Sequence, residues 1–372
     1  MSLVYFLGAG FSAAYGLPVM NQFFSVARQS ALLSSEEKTF LAEVQRFAHM
    51  GVRLVTISRN NMEEILSFLE MAEQAGRVPQ RLTELANVGD NAVPPLELLR
   101  SIIARVYGPF DSTQLTLPSQ LSQRAFALFG FDGDNPCLQF PPAQRRSFPA
   151  TPNKNLSLPN FPSSTFITTN YDLCFETQLL SMHPQLKLNL IGDWISAEGH
   201  PQGDRDRSGI YNPKSPAKLI RLHGAVNWNS PGYGLNNRTY KFRVTSNIAP
   251  GGEIPWAIRR QFYAENPTAP IIVAPTVFKH QADGPYAEQW REAAKALAAA
   301  TQLVFIGYSF PETDAYMRYF LGASLAENVA LEAIHIIDPK ADEIVNRLGH
   351  SGQYGAHFLD MLKPYNRCWH LN

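Results

Sequence analysis

Six short apolar runs limit what this chain can fold into. Leu3–Leu7, Thr165–Thr168, Leu219–Leu222, Ile271–Ala274, Leu303–Ile306 and Ile334–Ile337 are rich in branched and aromatic side chains, and each gives way to small or polar residues. Runs this short read as strands. Their apolar character is continuous instead of alternating, which suits strands covered on both faces, as in a parallel sheet. Helical stretches lie between several of them. Asn61-Met-Glu-Glu64 has capping-box spacing and precedes Ile65, Leu66 and Leu69 at helical periodicity. Gln289–Ala300 is rich in alanine, a strong helix former. Pro311-Glu-Thr-Asp314 opens another helix, with Met317, Phe320 and Leu321 on one face. The expected fold is α/β: a Rossmann-like, doubly wound parallel sheet.

One stretch breaks the alternation. Residues from about 20 to 110 look helical and hold few strand-like runs, so they read as a helical insertion after the first strand. From about 109 to 163 the chain is rich in Pro, Ser, Gln and Asn, including Pro141-Pro142, and reads as a long loop or lid. Segments 196–216 and 229–270 are also polar, with Gly and Pro.

Bulk properties exclude several function classes. Lys+Arg and Asp+Glu number 32 each, so no net charge favours nonspecific binding to nucleic acid or to an anionic membrane. No apolar run approaches the roughly 20 residues that span a bilayer, and the N-terminus lacks the basic region and cleavage site of a signal peptide. The three cysteines, Cys137, Cys174 and Cys368, are far apart and form no CxxC pair. A disulfide framework and a four-cysteine zinc site are therefore not expected, and a cytoplasmic setting is the default.

Five motifs stand at strand ends, where ligands of open α/β sheets bind. Leu7-Gly8-Ala9-Gly10-Phe11-Ser12-Ala13 fits a phosphate fingerprint, in which glycines let backbone N–H groups approach a pyrophosphate. A tight strand–helix turn needs glycines anyway. The acidic residue that a dehydrogenase places about 20 positions on is not evident, and Arg28 stands near that spacing. Thr168-Thr169-Asn170-Tyr171-Asp172 puts two polar groups at a strand end, or makes a plain Asx-turn. Leu222-His223-Gly224 offers an imidazole for acid–base work, or a structural histidine. Gly307-Tyr308-Ser309-Phe310 is a second small-residue turn, and Ile337-Asp338-Pro339 offers a carboxylate to a ribose. Both equally fit ordinary strand exits.

Taken in order, these motifs resemble the sirtuin superfamily: GAGxS, the T-x-N-x-D strand end, the LHG histidine, the small-residue turn and a late strand on the adenosine half. The resemblance runs from about residue 3 to 340. It departs from protein-deacylating sirtuins at two places. Residues 224–306 hold no cysteine, and Gly16-Leu17-Pro18-Val19-Met20-Asn21 lacks the acidic-Phe-Arg segment. The pattern is closer to the bacterial sirtuin-like domains of anti-phage defence, which lack the zinc module.

That resemblance implies an NAD+ glycohydrolase that cleaves NAD+ to ADP-ribose and nicotinamide, without zinc. It implies a sirtuin-like domain over 1–20 and 160–372, with 21–159 as helical insertion plus Pro-rich lid. Asn170, His223 and Asp172 are the expected catalytic residues. Asn170 orients water or the ribose hydroxyls, His223 is the base, and Asp172 holds the carboxamide or the ribose. Gly8, Ala9, Gly10, Phe11, Ser12, Thr169, Gly307, Ser309 and Asp338 are the expected NAD+-binding residues. The resemblance further implies a homo-oligomer and a separate regulatory partner, such as a HerA-like ATPase or an Argonaute-like protein. Three other readings stay open: an NAD-dependent deacylase without its zinc module, a non-catalytic NAD or ADP-ribose sensor, and an ADP-ribosyltransferase.

Overall fold

The computed structural model describes residues 2–13, 17–51, 60–87, 93–107, 164–177, 187–192, 194–196, 211–229, 242–244, 270–272, 285–311, 314–352 and 354–365. The expected lid at 109–163 lies outside the described residues.

Seven strands form one parallel sheet: β1 (Leu3–Leu7), β2 (Thr165–Thr168), β3 (Asn189–Leu190), β5 (Lys218–Arg221), β9 (Gln302–Ile306), β10 (Ala333–Ile337) and β11 (Leu362–Tyr365). Their spatial order is β11-β10-β9-β1-β2-β5-β3. β1 is central, in register with β2 (Tyr5 opposite Phe166) and β9 (Tyr5 opposite Val304). Its residues Val4 to Leu7 are fully buried. Each such side chain contributes about 1.5–3 kcal/mol by leaving water, which is why the run carries no polar alternation. The Tyr5 ring stacks on Phe166 at 5.1 Å, tying β1 to β2. This is the α/β, Rossmann-like sheet expected from the apolar runs.

The fourth apolar run behaves differently. β8 (Pro270–Ile272) joins a separate four-stranded sheet of order β4-β7-β6-β8, with β4 (Trp194–Ser196), β6 (Gly224–Asn229) and β7 (Phe242–Val244). There it pairs antiparallel to β6, so its expected place in the parallel sheet is corrected. The cause is local. β6 begins three residues after β5 ends, and Gly224 at φ 80° turns the chain out of the main sheet. That creates a second edge for β8 to join.

Among the described residues, α2 (Phe23–Gln29), α3 (Ser35–Gly51), α4 (Met62–Gln74), α5 (Gln80–Ala86) and α6 (Pro95–Tyr107) lie between β1 and β2. The short α1 (Ala9–Ala13) leaves β1 directly. Ser34 and Glu37 cap α3 reciprocally: Glu37 N–H donates to Ser34 Oγ at 3.2 Å, and Ser34 N–H to Glu37 Oε2 at 2.9 Å. Asn61 Oδ1 caps α4, accepting from the N–H groups of Glu63 and Glu64 at 3.0 and 3.4 Å. The apolar stripe Ile65, Leu66, Leu69 is buried, as its spacing predicts, in the same continuous core as the sheet. The sheet's second half alternates with helices: α7 (Pro285–Ala298) precedes β9, α8 (Ala315–Leu325) lies between β9 and β10, and α9 (Ala341–Ser351) and α10 (Ala356–Asp360) lie between β10 and β11. α7 packs on α8 and against β5. α8 starts at Asp314, whose carboxylate accepts from Met317 N–H at 3.1 Å, and it buries Met317 and Leu321.

Candidate functional site

The sheet reverses its winding at β1. The chain builds β2, β3 and β5 on one side, then returns to lay β9, β10 and β11 on the other. The crevice of such a sheet lies between the carboxyl ends of the two strands that diverge, here β1 and β9. Gly8, Ala9 and Gly10 leave β1 there, and Gly307 leaves β9.

The glycines of these two turns interlock. A Cβ on Gly8 would stand 2.5 Å from the Gly307 carbonyl, one on Gly10 2.8 Å from Gly307 Cα, and one on Gly307 2.1 Å from Phe11 N. Gly307 also sits at φ 61°, a left-handed conformation that L side chains resist. Gly10 N–H donates to Gly307 O at 2.8 Å, Gly8 N–H to Ile306 O at 2.9 Å, and Phe11 N–H to Gly8 O at 3.0 Å. These three amides close the turns on each other. The half-buried Ala9 and Gly10 form the rim of the crevice, whereas Phe11 and Ser12 are buried beneath it.

Asn170 and Asp172 converge on this turn from the end of β2. The Asn170 side-chain N–H₂ donates to Gly8 O at 2.8 Å and to Ser12 Oγ at 2.9 Å. Gly8 O can only accept, so the carboxamide's orientation is fixed. The Asn170 N–H is held by Thr168 Oγ1 at 3.0 Å, and half-buried Thr169 binds Leu7 O through its N–H at 3.3 Å. Among the described residues the Asn170 side-chain oxygen accepts no hydrogen bond, which leaves it as the acceptor available to a ligand. Asp172 accepts from Cys174 N–H at 2.9 Å and from Ser12. Burial pushes its carboxyl pKa up, against the pull of those bonds and of Arg221. Ser12 is thus the common partner of Asn170 and Asp172. Burial and the Asp172 charge push the Cys174 thiol well up as well, which keeps it protonated and unreactive.

His223 follows β5, the neighbour of β2. Leu222 N–H bonds Thr168 O at 3.0 Å and Val226 N–H bonds Tyr171 O at 2.9 Å, so the histidine turn is tied to the Asn170–Asp172 segment on both sides. The imidazole is 2% exposed and lies between the rings of Tyr171 and Trp290, each 6.3 Å from it. Trp290, on α7, is itself set by edge-on contacts to Tyr316 and Phe320 of α8. Asn170 and His223 therefore stand at adjacent strand exits, both buried.

The sequence gives little notice of what fixes this segment. Arg221, the last residue of β5, is buried at 1% exposure and ion-paired with Glu176, which is fully buried. Its Nε donates to Glu176 Oε1 at 3.1 Å, one terminal nitrogen to Asn170 O at 2.9 Å, and the other to Asp172 O at 2.9 Å and to Glu176. Tyr211 Oη donates to Glu176 Oε1 at 3.0 Å and accepts from Asn227 at 3.3 Å. One guanidinium thus clamps the backbone on either side of Tyr171. The available signal was a lone arginine in an apolar strand beside a histidine, because a buried cation demands an acid.

The remaining expected residues flank this centre. Ser309 is exposed, and its carbonyl and that of Phe310 accept from Arg347 of α9. Phe310 adopts φ 49°, unusual for a non-glycine residue, so the whole 307–310 turn is held in a strained shape. Asp338, half-buried at the end of β10, accepts from Lys340 N–H at 2.9 Å, and burial raises its pKa. Glu63, at the start of α4, lies within reach of the β2 exit: Tyr171 Oη donates to its Oε1 at 3.4 Å. Among the described residues no group of three His, Cys, Asp or Glu is placed to hold a metal ion, and no helix is long and apolar enough to cross a membrane.

No curated protein matches the chain. The SIR2-like domain family matches residues 164–351, a span that runs from the first residue before β2 to the end of α9 and includes the exits of β2, β5, β9 and β10. Domains of this family bind NAD+, and the match takes in just over half of the sequence; the chain belongs to the SIR2-like family.

Proposed function

We propose that this chain is an NAD+ glycohydrolase, cleaving NAD+ to ADP-ribose and nicotinamide. The observation that carries the reading is the order of polar groups across the sheet. Asp338, Gly307–Ser309, Gly8–Ser12, Asn170–Asp172 and His223 stand at the carboxyl ends of β10, β9, β1, β2 and β5, five adjacent strands. At about 4.8 Å per strand they cover roughly 19 Å, a track for an extended dinucleotide. In this reading Asp338 receives the adenosine ribose, the β1 and β9 turns with Ser309 the pyrophosphate, and Asn170 and His223 the nicotinamide ribose.

NAD+ is primed for this reaction, because nicotinamide leaves as a neutral group from a cationic linkage. The C1′–N bond breaks with its electron pair on nitrogen, through an oxocarbenium-like transition state. A water oxygen then bonds to C1′, and its proton passes to the His223 imidazole. Asn170 presents its fixed carbonyl oxygen to that water or to a ribose hydroxyl. Asp172 acts through Ser12, keeping the Asn170 partner in place. Domains of anti-phage defence with the same motif order support a further setting: an effector that depletes NAD+, as a homo-oligomer controlled by a HerA-like ATPase or an Argonaute-like protein.

The test is product analysis of the full chain with NAD+. Release of nicotinamide and ADP-ribose in equal amounts is expected, with Asn170→Ala and His223→Ala lowering kcat by about 100-fold or more. Unchanged turnover in both variants refutes the site. Label transferred to protein or nucleic acid instead of free ADP-ribose refutes the hydrolytic outcome.

A further inference from the structure

Glu63 comes from the helical segment between β1 and β2, outside the residues that the family match covers. It is nevertheless at the site. Its carboxylate accepts from Tyr171, the residue between Asn170 and Asp172, whose ring faces His223. Burial, and then the charges of Glu63 and Asp172, push the Tyr107 phenol up. Burial, Asp314 and more weakly Glu63 do the same to Tyr308, beside Gly307. One negative group therefore acts on the exits of both β2 and β9.

Capping does not require Glu63. Asn61 Nδ2 donates to Glu64 Oε1 at 3.0 Å, so Glu64 completes the cap of α4, while the Glu63 carboxylate accepts from Tyr171 at the β2 exit. Glu63 is half-buried, whereas the carboxyl of Asp172 is buried and already bonded to Ser12 and Cys174.

We propose that Glu63 is a catalytic carboxylate of the NAD+ site, supplied by the helical insertion to stabilise the positive charge that develops on the nicotinamide ribose. The inference rests on the glycohydrolase reading. As the C1′–N electron pair leaves with nicotinamide, C1′ and the ring oxygen share a positive charge, and a fixed carboxylate lowers the energy of that state more than that of bound NAD+. The Tyr171 hydroxyl holds the carboxylate in position. The carboxylate itself takes no proton, which goes to His223.

The experiment compares the full wild-type chain with Glu63→Gln, Glu63→Asp and, as a capping control, Glu64→Gln. Each is assayed for NAD+ hydrolysis and for NAD+ binding by calorimetry, with thermal unfolding as a check on folding. Glu63→Gln should lower kcat by about 100-fold or more, while the Kd for NAD+ changes by less than about 3-fold. Glu63→Asp, which keeps the charge but withdraws it, should retain part of the activity. It also stands in for the glutamine variant if that one does not fold. Glu64→Gln should lower the unfolding temperature and leave kcat near wild type. Wild-type turnover with undiminished kcat in Glu63→Gln overturns the inference alone. A wild-type chain that binds NAD+ and leaves it intact overturns the glycohydrolase reading, and this inference with it.

Discussion

Replacing Arg221 with methionine tests the view that a buried clamp sets the site. The side chain is 1% exposed and its partner Glu176 fully buried, so neither charge has water to fall back on. Removing one member of a buried pair costs about 3–5 kcal/mol, because the other charge stays uncompensated. The Asn170 and Asp172 carbonyls each lose a donor at 2.9 Å, adding on the order of 1 kcal/mol apiece. The sum, about 5–7 kcal/mol, is comparable to the total stability of many domains. Arg221→Met should therefore be close to unfolding at 25 °C. The double variant Arg221→Met/Glu176→Gln should recover about 2–3 kcal/mol, because the unpaired charge is gone and the replacement carboxamide still accepts from Tyr211. Arg221→Lys keeps the charge but not the fork that reaches two carbonyls and a carboxylate together. It should fold, and lose kcat more than it raises KM as the Asn170–Asp172 segment loosens. Urea unfolding followed by circular dichroism gives the midpoints, with m held constant across variants. If the Arg221→Met and Glu176→Gln effects add within about 0.5 kcal/mol, the two side chains are not coupled and the clamp argument is refuted.

Two further outcomes follow from individual residues. Gly307→Ala and Gly76→Ala both place a side chain at positive φ, 61° and 63°, but only Gly307 meets backbone, at 2.1 Å, while Gly76 faces open space. Gly76→Ala should cost about 1–2 kcal/mol and Gly307→Ala at least about 2 kcal/mol more, measured by the same denaturation; equal losses would show that the two turns can separate at little cost. His335 is buried on β10, and burial, helped by Lys363, lowers its pKa to about 4. The folded state therefore refuses a proton that the unfolded chain takes up below about pH 6.5. Its contribution is intact above that value and is lost as pH falls toward 4, a change of about 3 kcal/mol. Stability of His335→Gln should vary less across that window, and an equal slope in both proteins would refute the assignment.

The placement of Asn170 and His223 was legible because strand ends carry a recurring type of residue. An apolar run that stops at Thr-Thr-Asn or at His-Gly announces a strand exit, and parallel exits share one side of a sheet. Glu63 and Arg221 were present in the same sequence but pointed elsewhere. Glu63 stood inside the Asn61-Met-Glu-Glu64 capping spacing, which assigns the cap to Glu64, as the bond from Asn61 bears out, and gives Glu63 no part. Arg221 stood inside the expected run Leu219–Leu222, whereas β5 spans Lys218–Arg221 and ends on it, and nothing local named the acid that the arginine pairs with. The edge strands β3 and β11 gave no apolar signal, the first through brevity and the second through Pro364, which an edge tolerates because its other side needs no donor.

By itself, then, the amino-acid order determined the parallel sheet, the helical stretch that follows its first strand and the residue types at its strand ends. These depend on local apolar content and periodicity, which neighbours in sequence supply. Tertiary structure alone decided that β8 leaves the main sheet, that Gly8, Gly10 and Gly307 interlock, and that Arg221 and Glu63 meet the Asn170–Asp172 segment. Those contacts join residues from 41 (Asn229 and Pro270) to 299 (Gly8 and Gly307) positions apart along the chain. Which buried charge finds which partner is set by the packing of layers and by the cost of leaving any of them unpaired.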